Sequence, residues 1–95
     1  MAREYRAQLI SGSPGRWLLY VALRDAPAPW PAHSFRQTAL PTFTQRTQAL
    51  NSLGFEPVPD AVWEWVEYNT DAADPSSPVW LMACVRVRSR EGADA

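Results

Sequence analysis

The sequence of 95 residues contains no lysine, a single cysteine and no long apolar run. One cysteine, Cys84, cannot form an internal disulfide framework. A helix that crosses a membrane needs about 20 mostly apolar residues, and no segment approaches that length. The first residues also lack the apolar stretch of a secretory signal. Together these absences predict a cytoplasmic protein.

Because lysine is missing, all nine basic residues are arginine, and with ten acidic residues the net charge is −1. Nonspecific binding to nucleic acid requires many cationic contacts with phosphates, so this balance argues against a general phosphate-binding surface. Abundant arginine, alanine and proline are typical of a GC-rich genome. Selection of arginine for its planar guanidinium group is the alternative explanation.

The chain is instead rich in tryptophan, with five residues at positions 17, 30, 63, 65 and 80. One tryptophan can bury roughly 150–250 Å². A chain of this length forms one small domain, so we predict a single domain over 1–95 with an ordered core at about 3–89. The tryptophans either dominate that core or remain on a surface that meets a partner.

Alternation of polar and apolar residues predicts four strands, and a helical pattern predicts one helix. The strands are expected at 3–10, 16–23, 62–69 and 78–88, and the helix at 42–53. The simplest arrangement is an α+β domain in the order β-β-α-β-β. In it, two hairpins form a mostly antiparallel sheet and the helix packs on one face.

The segment 24–41 contains four prolines and is predicted to be a long loop. Within it, residues 33–37 have the composition of a short edge strand. At the other end of the chain, residues 90–95 are mostly polar and small, and they are predicted to be a flexible tail.

The clearest local signal marks the start of the helix. Thr42 and Gln45 match a capping box, in which each side chain binds the backbone amide of the other residue. Gly54 suits the left-handed residue that ends many helices. The residues expected on the buried helical face are Phe43, Leu50 and Leu53.

Side-chain alternation in the last two strands decides which face of the sheet meets the helix. The last strand has one aliphatic face, which consists of Val79, Leu81, Ala83, Val85 and Val87. Glu64 beneath the helix would be a costly buried carboxylate, so it is expected to face water. Its neighbours Trp63 and Trp65 then face the core, with Trp65 near Ala83.

The opposite face carries a candidate partner-binding surface. Its predicted members are Trp80, Tyr68, Met82, Arg86 and Arg88. Aromatic, methionine and arginine side chains are enriched in interfaces, which favours a protein partner or a second copy of the chain. The first alternative is that segment 24–41 covers this face as a second small core. The second is binding of single-stranded nucleic acid, with bases stacked on Trp80 and Tyr68.

A further candidate for partner binding is Trp30, which lies between two prolines. Prolines hold the ring on extended backbone, and this geometry suits an exposed recognition tip. The alternative interpretation is a lid that plugs the edge of the domain.

Catalytic chemistry has little support in the sequence. His33 is the single histidine and the one obvious base, but the adjacent Ser34 points away from it in extended backbone. Asp71 and Asp74 lack the further ligands of a calcium loop, and Cys84 is typical of a packed residue. The sequence has no nucleotide-binding loop and no zinc spacing. We therefore expect a non-enzymatic protein without cofactor or metal.

Several stretches resemble a small uncharacterised family from Streptomyces and related actinobacteria, classed as a domain of unknown function. The matching stretches are Trp30-Pro31, residues 33–35, residues 54–59 leading to Trp63-Glu64-Trp65, residues 74–78 and residues 85–90. The resemblance extends over nearly the whole chain and implies an actinobacterial source, in keeping with the missing lysine. It transfers no catalytic or binding residue, because that family has no assigned activity.

Overall fold

A computed structural model describes residues 3–11, 15–24 and 29–90, apart from the side chain of Tyr68. The described residues form six strands and one helix. In chain order these are β1 (Glu4–Ser11), β2 (Trp17–Ala22), β3 (Ala32–Phe35), α1 (Phe43–Ser52), β4 (Phe55–Pro57), β5 (Glu64–Asn69) and β6 (Val79–Ser89). The predicted α+β class with a mostly antiparallel sheet is confirmed. Most of the predicted tail, 91–95, lies outside the described residues.

The described strands join one antiparallel sheet in the order β3-β2-β1-β6-β4, and β5 also pairs with β6. The long β6 spans 11 residues and lies at the centre of this arrangement. One edge of β6 pairs with β1, while the other pairs with β5 near its start and with β4 near its end. The β1–β6 pairing therefore unites the two predicted hairpins in one sheet.

The predicted order β-β-α-β-β is wrong because it omits two short strands. β3 lies within the predicted loop 24–41 and pairs with β2 at the edge of the sheet. β4 contains Pro57, which a sheet accepts at an edge, and it pairs with the last residues of β6. The short edge strand suggested at residues 33–37 overlaps β3, whereas the three residues of β4 show too little alternation to be recognised in the sequence.

The core lies between α1 and one face of the sheet. Side-chain alternation decides which strand residues enter it, and the completely buried members are Ala7, Leu9, Leu19, Val21, Ala83 and Val87. The larger rings of Trp17, Phe35 and Phe55 close its margins. The predicted orientation of β6 is confirmed here, since Val85 is also buried.

The helix begins and ends as the sequence predicts. The amide of Gln45 donates to Thr42 Oγ1 at 3.1 Å, and the amide of Thr42 donates to Gln45 Oε1 at 2.8 Å, which completes the capping box. Gly54 follows the last turn with a φ of +93°, a left-handed conformation that glycine adopts without steric cost.

The buried face of α1 differs from the prediction in its first turn. Leu50 is fully buried and Leu53 packs against the core, as expected. Phe43 is 63% exposed, so its predicted burial is wrong. Arg46 takes the inward position instead and is only 9% exposed.

The predicted orientation of the third long strand is confirmed at Glu64, which faces solvent, and Trp65 lies opposite Ala83 in the sheet. Trp63 packs against the core as a partly buried ring. Trp65 remains 41% exposed, so its predicted burial is only partial. The helix presents the guanidinium of Arg46 to this ring rather than an apolar side chain.

β5 and β6 continue past the end of β1 as a two-stranded arm, which we define as residues 67–81. β1 pairs with β6 only as far as Met82, whereas β5 continues to the pair Asn69–Val79. Val79 and Leu81 were predicted to face the helix, but they are 50% and 37% exposed because this part of β6 lies beyond the buried core. The molecule is elongated, with extents of 48 × 27 × 26 Å.

Candidate protein-interaction surface

The sheet face opposite α1, which we call the open face, carries a continuous line of apolar side chains. The register places in one line, from β2 through β1 and β6 to β5, the residues Leu18, Ile10, Met82 and Val66. We call these four residues the apolar row. Val66 is 51% exposed, and Ile10 and Met82 are half-buried. A continuous apolar line on a solvent-facing sheet is a feature of interaction sites.

Two more rows lie beside the apolar row on the side away from the arm. The nearer row is polar and consists of Tyr20, Gln8, Cys84 and Glu64. The farther one, which we call the arginine row, consists of Arg6 and Arg86, directly opposite each other. A groove of about 370 Å³ crosses these rows, and its lining includes residues of all three. The open face therefore offers apolar, anionic and cationic contacts within a short distance.

Three of the predicted partner-binding residues lie on β5 and β6 near this groove. Trp80 is 37% exposed at the base of the arm, and Met82 is in the apolar row. Tyr68 is the register partner of Trp80 on β5, and its side chain lies outside the described parts of the structure. The β5–β6 pairing therefore places these three residues within two register positions of one another.

The two predicted arginines differ in how firmly the chain holds them. Arg88 donates to Glu56 Oε2 from Nε at 3.1 Å and from Nη2 at 2.9 Å. Arg86 makes one contact, from Nη1 to Glu4 Oε1 at 3.4 Å, and both side chains are at least half exposed. An exposed single contact contributes little free energy, so Arg86 can exchange Glu4 for a partner's carboxylate at little cost.

Trp30 belongs to a different part of the open face. Its ring stacks on Tyr20 with a centroid distance of 6.1 Å, and Tyr20 donates a hydrogen bond to Gln8. Tyr20 lies on β2, two strands from Trp80 on β6. Trp30 therefore covers the β2 margin, and none of the described residues 29–41 lines the groove.

Two members of the apolar row, Leu18 and Ile10, were not predicted from the sequence. Ile10 is the single isoleucine and follows Glu4, Arg6 and Gln8 on the otherwise polar face of β1. The signal in the sequence was an apolar residue, Ile10, at the end of an otherwise polar strand face. That Ile10 joins an apolar row follows only from its pairing with Met82, which no local pattern reveals.

The charges of the chain are separated along its length. Residues 47–85 contain six acidic residues and no arginine, and all nine arginines lie outside this segment. The arm itself carries Glu67, Asp71 and Asp74 without a basic residue. The arginine row lies at the other end of the open face. Acidic residues also lie beside the arginine row, since Glu4 contacts Arg86, and Asp60 and Glu64 line the groove together with Arg6 and Arg86.

The tip of the arm is organised by Asp74. Its Oδ1 accepts hydrogen bonds from the hydroxyl of Ser76 at 2.7 Å and from the amide of Ser76 at 2.9 Å. These bonds favour the ionised carboxylate and lower the pKa of Asp74 below its ordinary value.

Arg46 forms a second notable cluster, on the helix side of the sheet. Its guanidinium carbon lies 4.6 Å from the centre of the Trp63 ring and 5.7 Å from that of Trp65. Its Nε donates to the Thr42 carbonyl at 3.3 Å, while Nη1 and the Trp63 Nε1 are buried without a hydrogen-bond partner in the described chain. Burial lowers the pKa of Arg46. Stacking on aromatic faces partly compensates for this desolvation.

The other predicted chemical groups do not converge on one site. His33 is exposed on β3, with its ring 4.6 Å from that of Phe35. It borders a groove whose described lining contains no carboxylate and no thiol. Cys84 is a free thiol in the polar row. Within the described residues, no three histidine, cysteine or acidic side chains are grouped to bind a metal.

The comparisons with known proteins bear on family and not on activity. No curated protein and no solved structure matches the chain. Among the described residues there is also no helix of the length and apolar character that crossing a membrane requires. The expected resemblance to an uncharacterised family is supported by a family model that matches residues 3–95. The chain therefore belongs to DUF6303, a family of unknown function.

Proposed function

We propose that this protein is a non-enzymatic protein-interaction module that binds its partner on the open face and the adjoining arm. The observation that carries the proposal is the apolar row, which runs across four neighbouring strands and is bordered on one side by the polar row and then the arginine row. Interfaces commonly have this composition, with apolar and aromatic anchors at the centre and charges at the rim.

The arm gives independent support. An isolated two-stranded hairpin is at best marginally stable in water, because it has no interior in which to bury side chains. Here Trp80 is exposed on one face of the arm, and Val79 and Leu81 on the other. A partner that covers these side chains would stabilise the arm.

The test places a photo-reactive amino acid at Val66 on the open face and, as a control, at the exposed Leu40 outside it. We expect crosslinks from Val66 to one protein, which must then bind the purified chain in solution. Met82→Glu should reduce that affinity at least tenfold, while Leu40→Glu should leave it unchanged. Equal binding by all variants would refute the use of the open face.

Binding of single-stranded nucleic acid is the second candidate, because exposed Trp80 precedes Arg86 on the same strand face. Against it, Arg86 and Arg88 contact carboxylates within the chain, and the arm is acidic. This function requires quenching of tryptophan fluorescence by oligonucleotides that weakens steeply as salt rises. A flat titration at low salt would eliminate it.

A cytoplasmic location and an actinobacterial source, Streptomyces or a relative, also belong to the proposal. The absence of lysine supports a GC-rich genome. Immunodetection in fractionated cells of the source organism would test the location, and detection in the secreted fraction would contradict it.

A further inference from the structure

We infer that the outer edge of β5 binds an extended, basic peptide segment of a partner protein, which adds to the sheet as a further antiparallel strand. The outer edge is the side of β5 that faces away from β6. The open face consists of side chains that project from the sheet, whereas this site consists of backbone groups at its border. The inference therefore goes beyond the proposed function and does not depend on it.

The strand register shows which backbone groups of β5 are unpaired. The amide of Thr70 donates to the Pro78 carbonyl at 2.9 Å, and this pair continues the register of β5 on β6. Because hydrogen bonding alternates along an antiparallel strand, the even-numbered residues of β5 direct their N–H and C=O groups to β6. The odd-numbered residues, Trp65, Glu67 and Asn69, direct theirs outward.

Within the described part of the chain, this edge is open. Residues 64–67 are four consecutive exposed positions, and β5 pairs with β6 alone. The opposite border of the sheet differs, since β3 has four residues and directly follows Pro31. Short edge strands and prolines discourage the addition of a strand, so the sheet accepts a new strand more readily at β5.

The charges at this edge favour a basic segment. Glu64 and Glu67 are both exposed and lie on opposite faces of the sheet. Two cations are nearby, but neither forms a salt bridge with these carboxylates. Arg46 is only 9% exposed beneath the helix, and Arg86 lies on β6 in contact with Glu4.

The chain on either side of β5 adds to this negative charge. Residues 58–63 and 70–78 together contain three acidic residues and no basic one. Complementary charge speeds association and suppresses binding of acidic partners. An acidic segment is therefore disfavoured at this edge.

The order of residues in β5 predicts the pattern of the bound segment. Directly opposed residues of an antiparallel pair lie on the same face and contact each other. A cationic residue is thus favoured opposite Glu64 and opposite Glu67. Aliphatic residues are favoured opposite Trp65 and Val66, so the segment has two cationic residues separated by two aliphatic ones.

The experiment is an NMR titration of the isotope-labelled chain with a blocked synthetic peptide, Thr-Val-Arg-Val-Val-Arg-Thr, up to millimolar concentration. Binding should shift the amide signals of Trp65, Glu67 and Asn69 and slow their hydrogen exchange. The amide of Val66, which is directed to β6, should exchange slowly in both states. Absence of these shifts, or shifts confined to the open face, would overturn the inference.

Two modified peptides test the charge and the backbone contacts. A peptide with glutamate in place of both arginines should bind about fivefold more weakly or worse, and equal binding would contradict a basic partner. N-methylation of the fifth peptide residue blocks the amide directed at Trp65 and should abolish binding. N-methylation of the fourth residue, whose amide faces away from β5, is the matched control and should be tolerated. Equal effects of the two methyl groups would contradict strand addition.

Proline substitution tests the same contact from the protein side. Glu67→Pro removes an outward amide and no hydrogen bond to β6, so the fold should persist while peptide binding is lost. Glu67→Gln removes the charge alone and should retain part of the binding. Ser34→Pro, at the β3 edge, should bind like the wild type, and circular dichroism verifies that each variant is folded.

The inference and the proposed function fail separately. Leu18→Glu alters the apolar row on β2, three strands from β5, and should leave peptide binding unchanged. Loss of peptide binding in this variant would place the peptide on the open face and overturn the inference. A chain that binds the peptide at β5, but whose Val66 gives no crosslink, contradicts the proposed function alone.

Discussion

The guanidinium carbon of Arg46 lies 4.6 Å from the centre of the Trp63 ring, beneath a helix whose inward positions would ordinarily be apolar. Arginine is seldom buried without an ion partner. The stacked ring substitutes for an apolar neighbour on one side, but the buried Nη1 has no acceptor in the described chain. At Arg46, packing against the ring therefore stabilises the fold, while desolvation of the unpaired guanidinium nitrogen destabilises it.

Two substitutions separate these contributions. Arg46→Ala should lower the free energy of unfolding by about 1–3 kcal/mol, because the stacked stem and head group are lost. Arg46→Met should be as stable as the wild type or more so, since it retains the volume and removes an unpaired buried donor. Urea denaturation measures both. Equal losses in the two variants would show that the positive charge itself stabilises the fold.

The capping box gives a second prediction. Thr42→Ala removes the acceptor for the Gln45 amide and should cost about 0.5–2 kcal/mol of unfolding free energy. Thr44→Ala, at an exposed helical position two residues later, serves as the matched control and should cost less. Thermal denaturation of both variants would detect the difference. Equal stability of the two variants would show that the cap does not stabilise the fold in solution.

Asp74 gives a prediction about pH. Its pKa is lowered in the folded state, so its contribution to stability is present above the ordinary carboxyl pKa and is lost as pH falls through the lowered value. Ser76→Ala removes the hydroxyl donor and should raise the pKa of Asp74 partway towards normal. An NMR titration of the carboxyl carbon measures this. Ser77→Ala is the control, and an equal rise there would show that general loosening of the tip is responsible.

The arm should be separable from the fold. Replacing residues 70–78 by Asn-Gly joins the opposed residues Asn69 and Val79 through a two-residue turn. Because the described tip contributes nothing to the buried core, the unfolding free energy should change by less than about 1 kcal/mol. Urea denaturation tests this expectation, and a loss of several kcal/mol would mean that the tip supports the sheet.

The pair of Arg88 and Glu56 should contribute to stability rather than to partner binding. A double-mutant cycle with Arg88→Met and Glu56→Gln should give a coupling of about 0.2–1 kcal/mol, as for other partly exposed ion pairs. The cycle is measured by urea denaturation. A coupling free energy of zero would mean that Glu56 does not hold Arg88, which would then be available to contact a partner.

Local patterns in the sequence identified the parts of the fold that depend on local physics. Thr42 and Gln45 could be paired because a capping box involves residues three positions apart. The outward direction of Glu64 could be predicted from the cost of burying its charge. Because neighbouring residues on a strand point to opposite faces, this also predicted that Trp63 points to the core. The burial of Arg46 could not be predicted, because it depends on the rings of Trp63 and Trp65, which approach from a distant part of the chain.

The candidate surface was predictable in part for the same reason. Trp80 and Met82 alternate with aliphatic residues along one strand, so their shared face could be read from β6 alone. The contributions of Leu18 and Ile10 depend on which strand pairs with β6 and in what register. The β1–β6 pairing joins residues about seventy positions apart, and no pattern within either strand specifies it.

The central place of β6 in the sheet has a consequence for biosynthesis. During translation, β1, β4 and β5 all leave the ribosome before the strand with which each must pair. Until Val79–Ser89 emerges, β1 has no partner on the side away from β2, and the sheet face on which the helix packs is incomplete. We therefore expect a nascent chain halted before residue 79 to remain sensitive to protease, and folding to begin only once this last strand is free.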